Sequence, residues 1–264
     1  MEKLPANVGW LWLKEGFSLF RKQPAEMSTL FLAYLFLMFA VGIVPLIGQV
    51  LPIILVPVFS MAFMQACADV ERGKKVYPNV LLAGFRRPAV TKLLQLGVLY
   101  LLAALAAIAA STLIDGGEFW RVMSGHAALD PDTVRDASFS LAMIMAAVVY
   151  TPAAMAFWYA APLIAWQDMS LGKAIFYSFF AVKRAGKAFL VYGLAWGLIG
   201  VLLPVMVSTI IGLLFGQATI VMLILLPLSV VMTVVMYCSF YPTYTSVFGK
   251  PQPPSSQPPQ PNQP

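Results

Sequence analysis

Six stretches of this chain, residues 27–47, 50–68, 93–114, 139–166, 188–214 and 218–241, run without a single Asp, Glu, Lys or Arg. No other feature restricts the possible folds so strongly. A bilayer core about 30 Å thick is crossed by about 20 apolar residues rising 1.5 Å each, and every run is close to that length or beyond it. A water-soluble fold is excluded by the balance of residues. Of the 264 residues 60% are apolar and 11% charged, against roughly 25% charged in soluble domains. The expected class is therefore an all-α integral membrane protein with six transmembrane helices. The first run exceeds the roughly 7–15 residues of a signal-peptide core and reads as a span.

Only Gly48-Gln49 separates the first two runs and Phe215-Gly216-Gln217 the last two, while the polar loop 115–138 joins the middle pair. Three membrane hairpins follow. Of the 17 Lys and Arg residues, 15 fall before the first span, between hairpins or in the tail; Arg121 and Arg135 alone lie in the 115–138 loop, beside five carboxylates. That asymmetry predicts cytoplasmic termini and a periplasmic 115–138 loop. It also accounts for the net charge of +6, so no nucleic-acid partner is expected.

Ahead of each hairpin an aromatic residue and a basic pair recur: Phe17 to Phe20 with Arg21 and Lys22, Phe85 with Arg86 and Arg87, and Phe179-Phe180 with Lys183 and Arg184. Met61-Ala62-Phe63 is echoed by Met155-Ala156-Phe157. The pattern predicts three parallel repeats, each an interfacial amphipathic helix followed by a hairpin. In the first, Trp10, Leu13, Phe17 and Phe20 recur every three or four residues and form one apolar stripe. In the third, Ile175, Phe176, Phe179 and Phe180 do the same. Trp10, Phe17, Arg21, Lys22, Arg86, Arg87, Lys183 and Arg184 are the candidate contacts to the membrane interface and to anionic phospholipid headgroups. Each basic residue there gains about 1 kcal/mol near an anionic leaflet.

Catalytic chemistry has little to build on. There is no GxGxxG, GxxxxGK or HExxH motif, and neither an enzyme nor a cofactor or metal is expected. The single histidine, His126, shares the 115–138 loop with Asp130 and Asp132 and reads as a solvated side chain. Cys67 and Cys238 read as small buried hydrophobes. Prolines inside the runs (Pro45, Pro52, Pro57, Pro152, Pro162, Pro204 and Pro227) are compatible with kinked spans. No carboxylate, His or Lys sits inside a span, which removes the usual marker of ion-coupled transport. Gln65, Gln95, Ser208 and Thr209 are polar positions that suit helix-to-helix hydrogen bonding or a path for a neutral substrate. Residues 249–264, rich in Pro, Gln and Ser, read as a disordered, polyproline-leaning cytoplasmic tail able to recruit a protein partner.

The organisation expected is an interfacial helix in residues 1–26, a six-helix membrane domain over 27–248 and the tail. The stretch from Gly9-Trp10-Leu11-Trp12 to Gln23-Pro24, with Ala161-Pro162-Leu163 through Lys183-Arg184, resembles a family of proteobacterial multi-pass inner-membrane proteins without assigned activity. These are distantly similar to the YciC-like proteins and to the membrane region fused to some glycerophosphodiester phosphodiesterases. The resemblance implies fold and inner-membrane location and transfers no catalytic residue. The functional expectation is a non-enzymatic inner-membrane protein serving membrane or envelope homeostasis through lipid or protein contacts. The alternative is a permease or channel-like transporter for a neutral or lipidic substrate.

Overall fold

The structure, a computed structural model, describes residues 4–45, 47–86, 88–128, 130 and 136–251. Helices dominate these residues: α1 (Val8–Lys22), α2 (Pro24–Gly42), α3 (Ile47–Glu71), a 3₁₀ helix (Pro78–Phe85), α4 (Ala89–Asp115), α5 (Glu118–Met123), α6 (Ala137–Phe157), α7 (Ala160–Gln167), α8 (Leu171–Arg184), α9 (Gly186–Phe215) and α10 (Ala218–Phe248). Among them six are long and apolar enough to cross a membrane: α2, residues 50–71 of α3, α4, α6 with α7, α9 and α10.

Helix ends depart from the apolar runs where a local signal overrides hydropathy. Gly48 and Gln49 are helical, and the described part of the first turn falls at residues 43–45. Pro45 sets that turn, since a proline disfavours helix in the residue before it and suits the start of the next helix. The run 139–166 is broken at Trp158-Tyr159. Pro162 lacks an N–H and its ring crowds the carbonyl four residues back, at Trp158. The exposed backbone groups are taken up by Ser178, whose Oγ accepts from the Tyr159 N–H and donates to the Met155 carbonyl, both at 2.9 Å. Ahead of α4 there is a 3₁₀ helix instead of the expected α-helix, because Pro78 and Pro88 bracket too few residues for a stable α-helix.

The buried core lies toward one end of the bundle, in α3 between Leu55 and Val70, in α7, and in α10 from Val234 to Tyr244. Beyond it the helices are bare. Leu190, Leu194, Leu198 and Val201 make an outward stripe on α9, each more than 60% exposed, and Leu213, Leu214, Met222 and Leu223 stand fully clear at the α9–α10 turn. In water this surface would be untenable; hydrocarbon is the solvent that suits it.

The short helices dock in a consistent manner. The 3₁₀ helix packs on α3, α8 packs on α6 and α7, and α1 packs on α10 and the start of α9. Each thus rests on the second helix of a pair other than the one it introduces, and α1 joins the start of the chain to its last helices. Contact is close: a Cβ on Gly84 would overlap the Val58 carbonyl, and one on Gly16 would lie 2.5 Å from the Ser239 Cα.

Candidate functional site

Polar groups collect at the end of the bundle where α2, α4 and α9 begin and α3, α7 and α10 finish. The ion pairs among the described residues all lie there: Lys75 with Glu26 (3.7 Å), Lys92 with Asp168 (2.7 Å) and Lys250 with Glu71 (2.9 Å). Tyr241 donates to Glu71 at 2.7 Å. Gln23 donates to the Lys74 carbonyl at 2.7 Å and accepts from the Val76 N–H at 3.0 Å, tying the start of α2 to the segment after α3. Burial pushes the Glu15 carboxyl above its usual range, reinforced by the Glu71 charge and opposed by Lys250.

The predicted interface residues occupy this end but do not form one site. On α1 the expected stripe is divided. Leu13 and Phe20 turn inward with Gly9, Trp12, Gly16 and Leu19 against α9 and α10, while Trp10 and Phe17 stay exposed. Each exposed ring carries a cation over its face, Lys14 over Trp10 at 5.7 Å and Arg21 over Phe17 at 6.0 Å. Lys14, Phe17, Arg21 and Lys22 line one open depression, and Lys183, Arg184 and Lys187 line a second beside Leu4 and Pro5. Arg86 is exposed at the end of the 3₁₀ helix. Arg87 lies outside the described residues, as does the tail beyond Pro251. On α8, Phe176 and Phe180 are exposed, and Ile175 and Phe179 are half-buried.

Trp12 escaped the sequence reading although its neighbour Trp10 did not. It is 1% exposed. Its Nε1 donates to Ser246 Oγ at 2.7 Å, and its ring meets Phe189 and Tyr192 edge-on at 5.1 and 5.9 Å. The signal was the order Gly9, Trp12, Leu13, Gly16, Leu19, Phe20, in which small residues alternate with large ones on one helix face.

Of the polar residues singled out inside the spans, Gln65 links two helices, while Ser208 and Thr209 bond within their own. Gln65 donates to Asp69 at 3.1 Å and accepts from Trp166 at 3.2 Å. Ser208 and Thr209 both donate to the Val205 carbonyl of their own helix. Cys67 and Cys238 are free, buried and side by side where α3 meets α10. His126 Nδ1 lies 2.8 Å from Ser124 Oγ. Among the described residues no group of three or more His, Cys, Asp and Glu is placed to hold a metal ion.

A cavity of about 330 Å³ opens between the helix pairs, with Tyr34 of α2, Ser60 of α3, Tyr100 of α4, Tyr150 of α6 and Tyr237 of α10 in its wall. Two stacked aromatic pairs brace it, Phe63 on Tyr237 at 4.4 Å and Tyr100 on Phe157 at 4.6 Å. No charged side chain lines it. Sequence reading passed over these tyrosines, since they stand in four separate apolar runs and converge only when four helices come together.

All-helical architecture, six membrane-length helices and a charged layer at one end define a multi-span helical membrane protein. No family model matches the chain, and neither does any solved structure. It is, however, 40% identical over 256 residues to a probable inner membrane protein of Burkholderia thailandensis, an alignment covering 95% of this chain and 94% of that one. The chain belongs to the family of that protein.

Proposed function

We propose that this is a non-enzymatic inner-membrane protein that works through lipid contacts, in membrane or envelope homeostasis. In this reading the charged end sits in the anionic cytoplasmic leaflet, both termini are cytoplasmic, and the chain comprises three hairpin repeats introduced by α1, the 3₁₀ helix and α8. The observation that carries it is the segregation at that end. Every ion pair described gathers there with the exposed pairs Trp10–Lys14 and Phe17–Arg21 and the two basic depressions. Aromatic rings flanked by Lys and Arg suit the headgroup layer, where the ring is half solvated and the cation meets phosphate. The location is supported by the relative's description as a probable inner membrane protein. The proline-rich residues beyond 251 would offer a partner a ligand on the same side.

Native mass spectrometry of the protein in nanodiscs of mixed phosphatidylethanolamine and phosphatidylglycerol tests the reading. The wild type should retain phosphatidylglycerol preferentially. The variant Arg21→Glu/Lys22→Glu/Lys183→Glu/Arg184→Glu should retain at least fivefold less, as losing four contacts of about 1 kcal/mol each would exceed that factor. Equal retention by both proteins would refute it.

A further inference from the structure

The tyrosine-lined cavity is separate from the charged end and makes a different chemical demand. Tyr34 and Tyr100 lie eleven and twelve residues into α2 and α4 from that end, and Ser60 and Tyr237 lie twelve residues from the ends of α3 and α10. At 1.5 Å per residue this is a depth of about 16 Å, the middle of a hydrocarbon core about 30 Å thick. The cavity is not sealed at that depth. Val56 on its edge is 38% exposed, and Tyr34, Ser60, Tyr100 and Tyr150 are half-buried. What the opening faces, if the spans lie in a bilayer as proposed above, is lipid, so the occupant enters from the bilayer.

The wall specifies the occupant's chemistry. An ionised group would enter hydrocarbon depth with no counter-charge lining the cavity, a cost of several kcal/mol. Most of the lining is apolar or aromatic. Its hydroxyls are not all committed. Tyr100 donates weakly to the Phe157 carbonyl at 3.4 Å, and Tyr34 and Tyr237 lie near each other in the wall. Tyr150, beside Tyr100, and Ser60 make no side-chain hydrogen bond with any described residue. At this depth a hydroxyl gains from any oxygen brought to it, because water does not compete. The volume equals that of about eleven liquid waters, enough for a compact head and the first part of a chain but not for a whole lipid.

We infer that this cavity binds an uncharged bilayer-soluble lipid through one oxygen function, a carbonyl or hydroxyl, held by Tyr150 and Ser60 while its apolar body runs out past Val56 into the membrane. Acylglycerols and isoprenoid quinones share this chemistry, and the two sources are separated by experiment. The full chain in nanodiscs is titrated with dioctanoylglycerol or with decyl-benzoquinone and followed by native mass spectrometry. One saturable adduct is expected with at least one probe, and the probe that binds identifies the source. Ala154→Trp, which fills the cavity from α6, should weaken it at least tenfold. Tyr150→Phe with Ser60→Ala, which leaves the shape intact, should weaken it roughly fivefold, the loss of about one hydrogen bond. The charge-reversed variant above should keep the adduct, which separates this site from the phospholipid contacts. If Ala154→Trp does not accumulate, the hydroxyl variant carries the test. Absence of a saturable adduct with both probes overturns the proposal, as does wild-type affinity in the modified cavities.

Discussion

Trp10 and Trp12 stand two residues apart on α1 and should respond to truncation in opposite ways. Trp12 is 1% exposed and Trp10 43% exposed. Removing the Trp12 ring empties the space between Phe189 and Tyr192, and truncating a buried aromatic residue to alanine costs about 3–5 kcal/mol. The hydrogen bond adds little beyond that, because Ser246 still donates to the Pro242 carbonyl at 2.7 Å and loses only an incoming donor. At about 2–4 °C per kcal/mol for a domain of this size, Trp12→Ala should lower the melting midpoint in detergent by roughly 10 °C. Trp12→Phe keeps much of the ring contact and should cost only a few degrees. Trp10→Ala should stay within about 0.5 kcal/mol, or roughly 2 °C, as surface changes do. Thermal unfolding by intrinsic fluorescence, matched for detergent, reads all three. A Trp12→Ala shift no larger than that of Trp10→Ala would mean that α1 is not docked on α9 and α10, and the account of its two faces would fall.

Gly84→Ala should destabilise measurably in the same assay, because the added methyl meets the Val58 carbonyl, while Gly193→Ala, with nothing within 4 Å, should be neutral or gain about 0.5–1 kcal/mol from helix propensity. Equal shifts in the two would contradict the tight seat of the 3₁₀ helix on α3. A topology reporter placed after Gly125 should read as periplasmic, and reporters after Lys75 and Gly249 as cytoplasmic; a cytoplasmic signal at Gly125 would reverse or break the proposed orientation.

Hydropathy exposed the six spans because each is one contiguous stretch that stays apolar whether packed helices or the surroundings cover it. Turns were harder to place. Ile43 and Val44 are as apolar as their helical neighbours, so only Pro45 betrays the first turn, and only Pro162 the break at Trp158-Tyr159. The division of α1 was hidden for a related reason. A period of three to four residues finds an apolar face but not whether other helices cover it, and α1 has an open side with Trp10 and Phe17 and a covered one with Trp12 and Gly16. The cavity was out of reach altogether, since Tyr34 and Tyr237 are brought together only by the packing of α2 on α10, which no local pattern encodes.

The seat of α1 also imposes an order on how the molecule is made. Trp12 bonds to Ser246, 234 residues later, and at about 5–20 residues per second a ribosome needs on the order of tens of seconds to cover that distance. Until α10 is made, the inward face of α1 lacks the helix that accepts the Trp12 hydrogen bond and packs on Gly16. The first helix synthesised can therefore complete its seat only once the last helix is present. A chain halted before α10 would leave Trp12 without its Ser246 acceptor and the α10 side of that face uncovered.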